Sequence, residues 1–221
     1  RLASSHLRVG TFQYFAARGD VENLRALADY AIARHYPDAR SAEDPYLAFY
    51  DAVVAALARL SARWMLVGFI HGVLNTDNTA IGGETIDYGP CAFIDAYRPD
   101  KVFSSIDQFG RYAFENQPAA VGWNLARFAE ALLPLIADGG EKAIERANAS
   151  IAAFDDHFNA AYLAGMRRKL GLVREVEGDL ELASDLLTRM AENGADFTLT
   201  FRALCGAAAD AKGDAEVRGL F

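Results

Sequence analysis

Apolar residues recur along most of this chain at the three- and four-residue spacing of a helix that buries one face. From Asp20, a residue suited to cap a helix, Leu24, Leu27, Ala28, Ala31 and Ile32 form such a stripe, and Tyr36-Pro37 ends it. A second helix is predicted from Asp44-Pro45, with proline in its first turn, through Leu47, Tyr50, Val54, Leu57 and Leu60 into Trp64 and Leu66. The period returns from Val121 to Ile136, with Leu125, Phe128, Ala129, Leu132 and Leu133, and again from Glu141 to about Leu170, with Ile144, Ile151, Phe154, Phe158 and Tyr162. Further helices are expected from Leu180 to Glu192 and from Phe197 to Ala209.

Between the second and third of these helices the texture changes. From His71 to Asp100 the chain is rich in turn formers (Asn75, Asp77, Asn78, Gly82, Gly83, Asp87, Gly89, Pro90) separated by short apolar pieces, which predicts loops and two or three short strands. The fold class is therefore mainly α, with one polar insert of the kind that carries chemistry when rigid helices hold it. The nearest thing to a linker is Ala137-Asp138-Gly139-Gly140, and no internal repeat or low-complexity segment is present.

Composition narrows the function class. With 221 residues, 52% of them hydrophobic, the chain can bury a sizeable core. A net charge of -8, with 22 basic residues in no long run, argues against a nucleic-acid partner, because neutralising a phosphate backbone takes clustered Lys and Arg. Cys91 and Cys205 stand far apart outside any zinc-type spacing and read as two reduced thiols of the sort that fill cores. The four histidines, His6, His35, His71 and His157, form no metal cluster. No apolar run reaches the length of a membrane span; the longest, Trp64 to Ile70, leads into the polar insert. The opening Arg1-Leu2-Ala3-Ser4-Ser5-His6 has no initiator Met and no signal-peptide pattern, as expected of a chain cut from a longer parent.

The insert reads His71-Gly72-Val73-Leu74-Asn75-Thr76-Asp77-Asn78, and Asp87-Tyr88-Gly89-Pro90 follows nine residues later. Magnesium is a hard ion that takes oxygen ligands and keeps positions open for substrate phosphates, so Asn78 and Asp87 on neighbouring loops suit it, with Asp77 left over as a base. The same residue types also make ordinary turns that satisfy their own backbone. His71 reads better as a hydrogen-bonded brace for the loop than as a ligand.

His71 to Asn78 resembles the protein-kinase catalytic loop, and Asp87-Tyr88-Gly89 resembles the kinase Asp-Phe-Gly. The position of the usual kinase base is Val73, which accepts no proton, so an ordinary protein kinase is not expected. Four longer strings, from Ser5 to Gln13, His71 to Asn78, Thr85 to Pro90 and Gly110 to Pro118, resemble the selenoprotein O family, known in bacteria as YdiU. Weaker likeness continues through Trp123-Asn124-Leu125 and from Met166 to Leu172.

That resemblance implies a pseudokinase-like nucleotidyltransferase that binds ATP in a reversed orientation and moves AMP, with UMP as an alternative, onto Ser, Thr or Tyr of proteins. It implies Asp77 as proton acceptor, Asn78 and Asp87 as ligands of Mg2+ or Mn2+, and Arg1 and Arg8, with Asp87 through the metal, on the ATP phosphates. A guanidinium fork suits that last role. The implied architecture is a protein-kinase-like C-terminal lobe with short β-hairpin-type strands carrying the catalytic and metal loops. Residues 1–221 would be a C-lobe fragment of a longer parent, with 71–100 as the catalytic and metal-binding loops and 121–221 as a helical extension. The N-lobe would be absent, with its glycine-rich segment and phosphate-contacting lysine, and the fragment alone inactive. Expected partners are ATP and protein substrates with hydroxyl side chains, with no nucleic acid and no membrane. The expected location is cytoplasmic if the source is bacterial and mitochondrial if it is eukaryotic. Two alternatives stay open: a kinase-fold phosphotransferase with an altered base, and a non-catalytic helical interaction domain.

Overall fold

The stripe that begins at Asp20 becomes a helix because Asp20 caps it, its carboxylate accepting from the Asn23 N–H at 3.2 Å. In the computed structural model, which describes residues 2–137, 139–210 and 213–221, the elements in chain order are α1 (Val9–Ala16), α2 (Val21–His35), α3 (Pro45–Val67), β1 (Phe69–Ile70), β2 (Ala92–Phe93), α4 (Gln117–Leu132), α5 (Gly140–Leu170), α6 (Asp179–Asn193), α7 (Phe197–Ala209) and α8 (Asp214–Arg218). Helices α2, α3, α5, α6 and α7 fall where periodicity predicts them. Helix α4 starts earlier than expected, with Pro118 in its first turn, and ends at Leu132 rather than Ile136. Leu133 precedes Pro134, and a residue before proline is pushed out of the helical region.

The short helix α1 is not predicted by the apolar pattern. Gly10 and Thr11 are weak helix formers and Arg8 makes no side-chain cap, so burial of Val9 and Phe12 must supply the stability that propensity lacks.

The contacts divide the chain into two units. The first comprises residues 1–61, 74–88 and 118–158. Its core joins Phe12 of α1, Phe49 of α3 and Phe128 of α4, all fully buried, with ring centroids 4.9 Å apart for Phe12–Phe128 and 5.6 Å for Phe49–Phe128. Tyr50 packs on Phe128 and spends its hydroxyl on the Leu125 carbonyl at 3.1 Å, so the core accepts its one polar atom without loss.

The second unit comprises residues 62–73, 89–117 and 159–221. Tyr97, Phe114, Phe197 and Phe201 stack in its core with Met166 and Met190. Strands β1 and β2 pair antiparallel, Phe69 with Phe93 and Ile70 with Ala92. The buried Gln117 side chain ties the start of the insert, accepting from the His71 N–H at 2.9 Å and donating to the Phe69 carbonyl at 2.9 Å. His71 is buried as well, its ring 5.8 Å from that of Trp64.

Two expectations need correction. The catalytic loops were expected on hairpin-type strands, but Asp77 and Asn78 lie in a 3-10 turn (Thr76–Asn78), and the strands β1 and β2 are two residues each. Apart from β2, the described residues of the insert pair only through isolated bridges, because each apolar piece is too short to sustain a longer ladder. The cysteines are both free, yet Cys205 is exposed and Cys91 half-buried, so neither is a core thiol. Among the described residues no helix is long and apolar enough to cross a membrane.

Candidate active site

The polar loop in the first unit is built from three short backbone segments. Leu7–Val9 lies antiparallel to Thr79–Ile81: the Val9 N–H donates to the Thr79 carbonyl and the Ile81 N–H to the Leu7 carbonyl, each at 3.0 Å, with Arg8 opposite Ala80. Thr79 in turn pairs with Thr85. The chain reverses between them through Gly83, whose φ of +70° favours glycine. Ile81 and Ile86 point into the core, fully buried, and pin the two arms.

This arrangement sets each predicted residue. Asn78 stands just before the Thr79–Thr85 pair and Asp87 two residues after it, so the two occupy the two arms of one turn. Asn78 is half-buried, and its N–H donates to the side chain of Asn75 at 3.1 Å, which closes the 3-10 turn. Asp87 is exposed, with φ 56°, the single left-handed non-glycine among the described residues. An aspartate tolerates that region better than most residues but still carries strain there, and strained residues cluster at functional sites.

Asp77 is exposed and sits on the first turn of α1. A Cβ added at Gly10 would lie 3.1 Å from the Asp77 Cγ and 3.5 Å from its Cα, and would overlap Oδ1. Arg8, the residue that precedes α1, has extended backbone and is half-buried beside the same turn. Arg1 lies outside the described residues. Asp77, Asn78, Asp87 and Arg8 thus belong to one unit.

Several supports have no signature in the sequence pattern. Asn124 of α4, completely buried, donates from Nδ2 to the Leu74 carbonyl at 3.1 Å and to the Thr79 hydroxyl at 2.8 Å, holding the loop from beneath. That hydroxyl donates onward to the Asn75 carbonyl at 2.9 Å. Tyr36 donates to the Ile81 carbonyl at 2.6 Å, and burial pushes its pKa up to about 12, so the bond persists across the physiological range. The segment that brings in Arg8 is tied to α2 and to the turn. Ser5 Oγ is 2.7 Å from His35 Nε2, the Ser4 N–H and hydroxyl both reach the Glu84 carboxylate, and Arg34 donates to the Ser4 carbonyl. Burial, and then the neighbouring Arg34 charge, lower the His35 pKa, which keeps the ring neutral and able to accept from Ser5. Asn124 and Ser5 were within reach only as parts of strings resembling a family, with no role attached, and His35 only as one of four scattered histidines.

The donor set is oxygen-rich. Among the described residues no group of three or more His, Cys, Asp and Glu could hold a metal ion by itself. An Asn carbonyl and an Asp carboxylate on two arms of one turn fit a hard divalent ion that takes its other ligands from phosphates and water.

Comparison with known proteins identifies the family. The family model described as "Protein adenylyltransferase SelO" matches residues 1–217. A relative from Nitrobacter winogradskyi named "Protein nucleotidyltransferase YdiU" is 93% identical over all 221 residues, which make up 44% of its own length. Relatives of the same name from Nitrobacter hamburgensis and from Bradyrhizobium sp. are 82% and 61% identical, again across the whole chain and 44% and 45% of their lengths. The chain spans somewhat less than half of the curated relatives it matches. With a match that runs from the segment carrying Arg8, through both arms of the Asn78–Asp87 turn, to α8, the chain belongs to the protein adenylyltransferase SelO family.

Proposed function

We propose that this chain is the kinase-like C-terminal lobe of a protein adenylyltransferase, and that the full-length polypeptide moves AMP from ATP to Ser, Thr or Tyr hydroxyls of proteins. The observation that supports the reading is that Asp77, Asn78, Asp87 and the Arg8 segment lie in one unit, with Arg8 bridged to Ala80, the arms that carry Asn78 and Asp87 bridged at Thr79–Thr85, and Asp77 against Gly10 of α1.

In the proposed step the substrate hydroxyl oxygen attacks the α-phosphorus in line with the bond to the β-phosphate oxygen. The new O–P bond forms as the old one breaks, pyrophosphate leaves with that electron pair, and the hydroxyl proton passes to the Asp77 carboxylate. Val73 stands where an ordinary kinase has its base, so Asp77, exposed on the α1 turn, is the carboxylate left for that task. Arg8, and Arg1 with it, would bind and orient the phosphates. Asn78 and Asp87 would hold Mg2+ or Mn2+, which when bound supplies charge neutralisation on the phosphates. The relatives are bacterial, and of the two compartments expected we propose the cytoplasm.

Incubating the full-length protein with ATP labelled in the α- or the γ-phosphate tests the reading. Label from the α-position is expected on protein, with a loss of 100-fold or more for Asp77→Asn, on the order of a general base's contribution. Label from the γ-position instead would favour the phosphotransferase. No metal-dependent nucleotide binding at all would favour a non-catalytic interaction domain.

A further inference from the structure

We infer that Gly10 is a positioning residue for Asp77: its missing side chain is the seat in which the carboxylate rests. This rests on the reading of Asp77 as proton acceptor. Gly10 lies in the first turn of α1, and its φ is not in the left-handed region that favours glycine, so its backbone gives no reason for glycine there. In a helix, alanine at such a position is favoured over glycine by roughly 0.5–1 kcal/mol. The neighbourhood supplies the reason that the backbone does not. The three nearest atoms that a Cβ on Gly10 would meet from outside its own helix turn all belong to Asp77: Oδ1 inside contact distance, Cγ at 3.1 Å and Cα at 3.5 Å.

What gives way on adding a methyl group follows from burial. The obstructing atom is the far end of an exposed side chain, whereas Val9 beside Gly10 is fully buried and its N–H is bonded to the Thr79 carbonyl. The carboxylate therefore swings away while the helix and the Thr79 pairing stay in place. A base displaced by about 1 Å costs on the order of 100-fold in rate. Gly10 thus sets the direction of Asp77 without touching substrate, and the same substitution that favours the helix disables the proton acceptor.

The test is a cycle in the full-length protein combining Gly10→Ala with Asp77→Asn, read by transfer of α-labelled AMP to protein and by melting temperature. Gly10→Ala alone is expected to leave the melting temperature unchanged or raised, to leave the KM for ATP within twofold, and to lower kcat roughly 100-fold. In the Asp77→Asn background it is expected to add less than threefold, since the group it displaces is already lost. A lowered melting temperature for Gly10→Ala, or a full 100-fold effect persisting in the Asp77→Asn background, would overturn the inference. So would a kcat within twofold of the parent for Gly10→Ala while Asp77→Asn is inactive, an outcome that leaves Asp77 as the acceptor. Undiminished labelling by Asp77→Asn would remove Asp77 from the reaction and this role of Gly10 with it.

Discussion

Replacing Asn124 removes a buried side chain that holds the polar loop from below, and the structure gives the size of the effect. Asn124→Ala deletes two hydrogen bonds, to the Leu74 carbonyl and the Thr79 hydroxyl, worth roughly 1 kcal/mol each. Thr79 keeps its own donor satisfied on the Asn75 carbonyl, so only the Leu74 carbonyl is left without a partner, at about 1–3 kcal/mol. That loss is offset, because the Asn124 Oδ1 is itself buried without a hydrogen bond and disappears with the side chain. The net destabilisation is therefore about 2 kcal/mol, read as a shift of the urea midpoint at unchanged slope. N124D is the sharper comparison. A carboxylate only accepts, and both native bonds are donations from Nδ2. It would face the Leu74 carbonyl oxygen to oxygen, so N124D should cost more than Asn124→Ala at pH 7. Burial would raise the pKa of the introduced carboxyl above its unfolded value near 3.9. The folded state then binds more protons than the unfolded one, so the defect should be smallest below about pH 4 and grow as pH rises toward the raised folded pKa. An Asn124→Ala cost under about 0.5 kcal/mol, or an N124D defect that ignores pH, would refute the accounting.

Two further outcomes follow from the same geometry. Lys169 donates to the Leu66 carbonyl near the end of α3 and lies over the Phe197 and Phe201 rings, and burial lowers its pKa to about 8. The folded state therefore binds fewer protons than the unfolded chain between about pH 8 and the ordinary lysine value. Stability should gain from this residue as pH rises through that window, and the difference in urea midpoint between the parent and Lys169→Met should change across it; a constant difference would refute the shift. At Asp87, glycine would relieve the left-handed backbone while adding unfolded-state entropy, for a net gain of roughly 0.5 kcal/mol. Asp87→Gly should thus melt no lower than the parent while losing metal-dependent transfer of α-label in the full-length protein, and retained transfer would exclude Asp87 as a ligand.

Periodicity made the long helices legible because each is long enough for its apolar face to repeat several times, as from Leu24 to Ile32 or along α5. The helix that matters most to the site was invisible to it: α1 has two buried anchors, Val9 and Phe12, and a glycine whose purpose lies in another segment of the chain. The candidate residues Asp77, Asn78 and Asp87 were legible from residue type, since oxygen donors among turn formers are where a hard ion binds, and from resemblance to a family. Their supports were not. Asn124 reads as an ordinary polar residue in an apolar helix until the loop it holds is seen, and the Thr79–Thr85 pairing that joins the arms carrying Asn78 and Asp87 is a single bridge, too short to leave an alternating pattern.

The three oxygen-bearing side chains are restrained by three different devices, and each lets a polar group be exposed without being free. Asn78 is fixed through its backbone by the Asn75 cap, which Thr79 and Asn124 support in turn. Asp87 is held by a left-handed backbone directly after the buried Ile86. Asp77 is fixed by shape alone, against the bare Cα of Gly10. Only the first is a hydrogen-bond network; the other two leave both carboxylates turned to solvent, the condition a metal ligand and a proton acceptor share. A scaffold that merely closed its turns would have no reason to hold Asp87 in a strained conformation or to keep glycine where alanine is better for the helix. Those two local departures from favourable backbone chemistry fall on the residues whose proposed roles require an unencumbered carboxylate, and that coincidence argues for the site more strongly than the presence of the acids themselves.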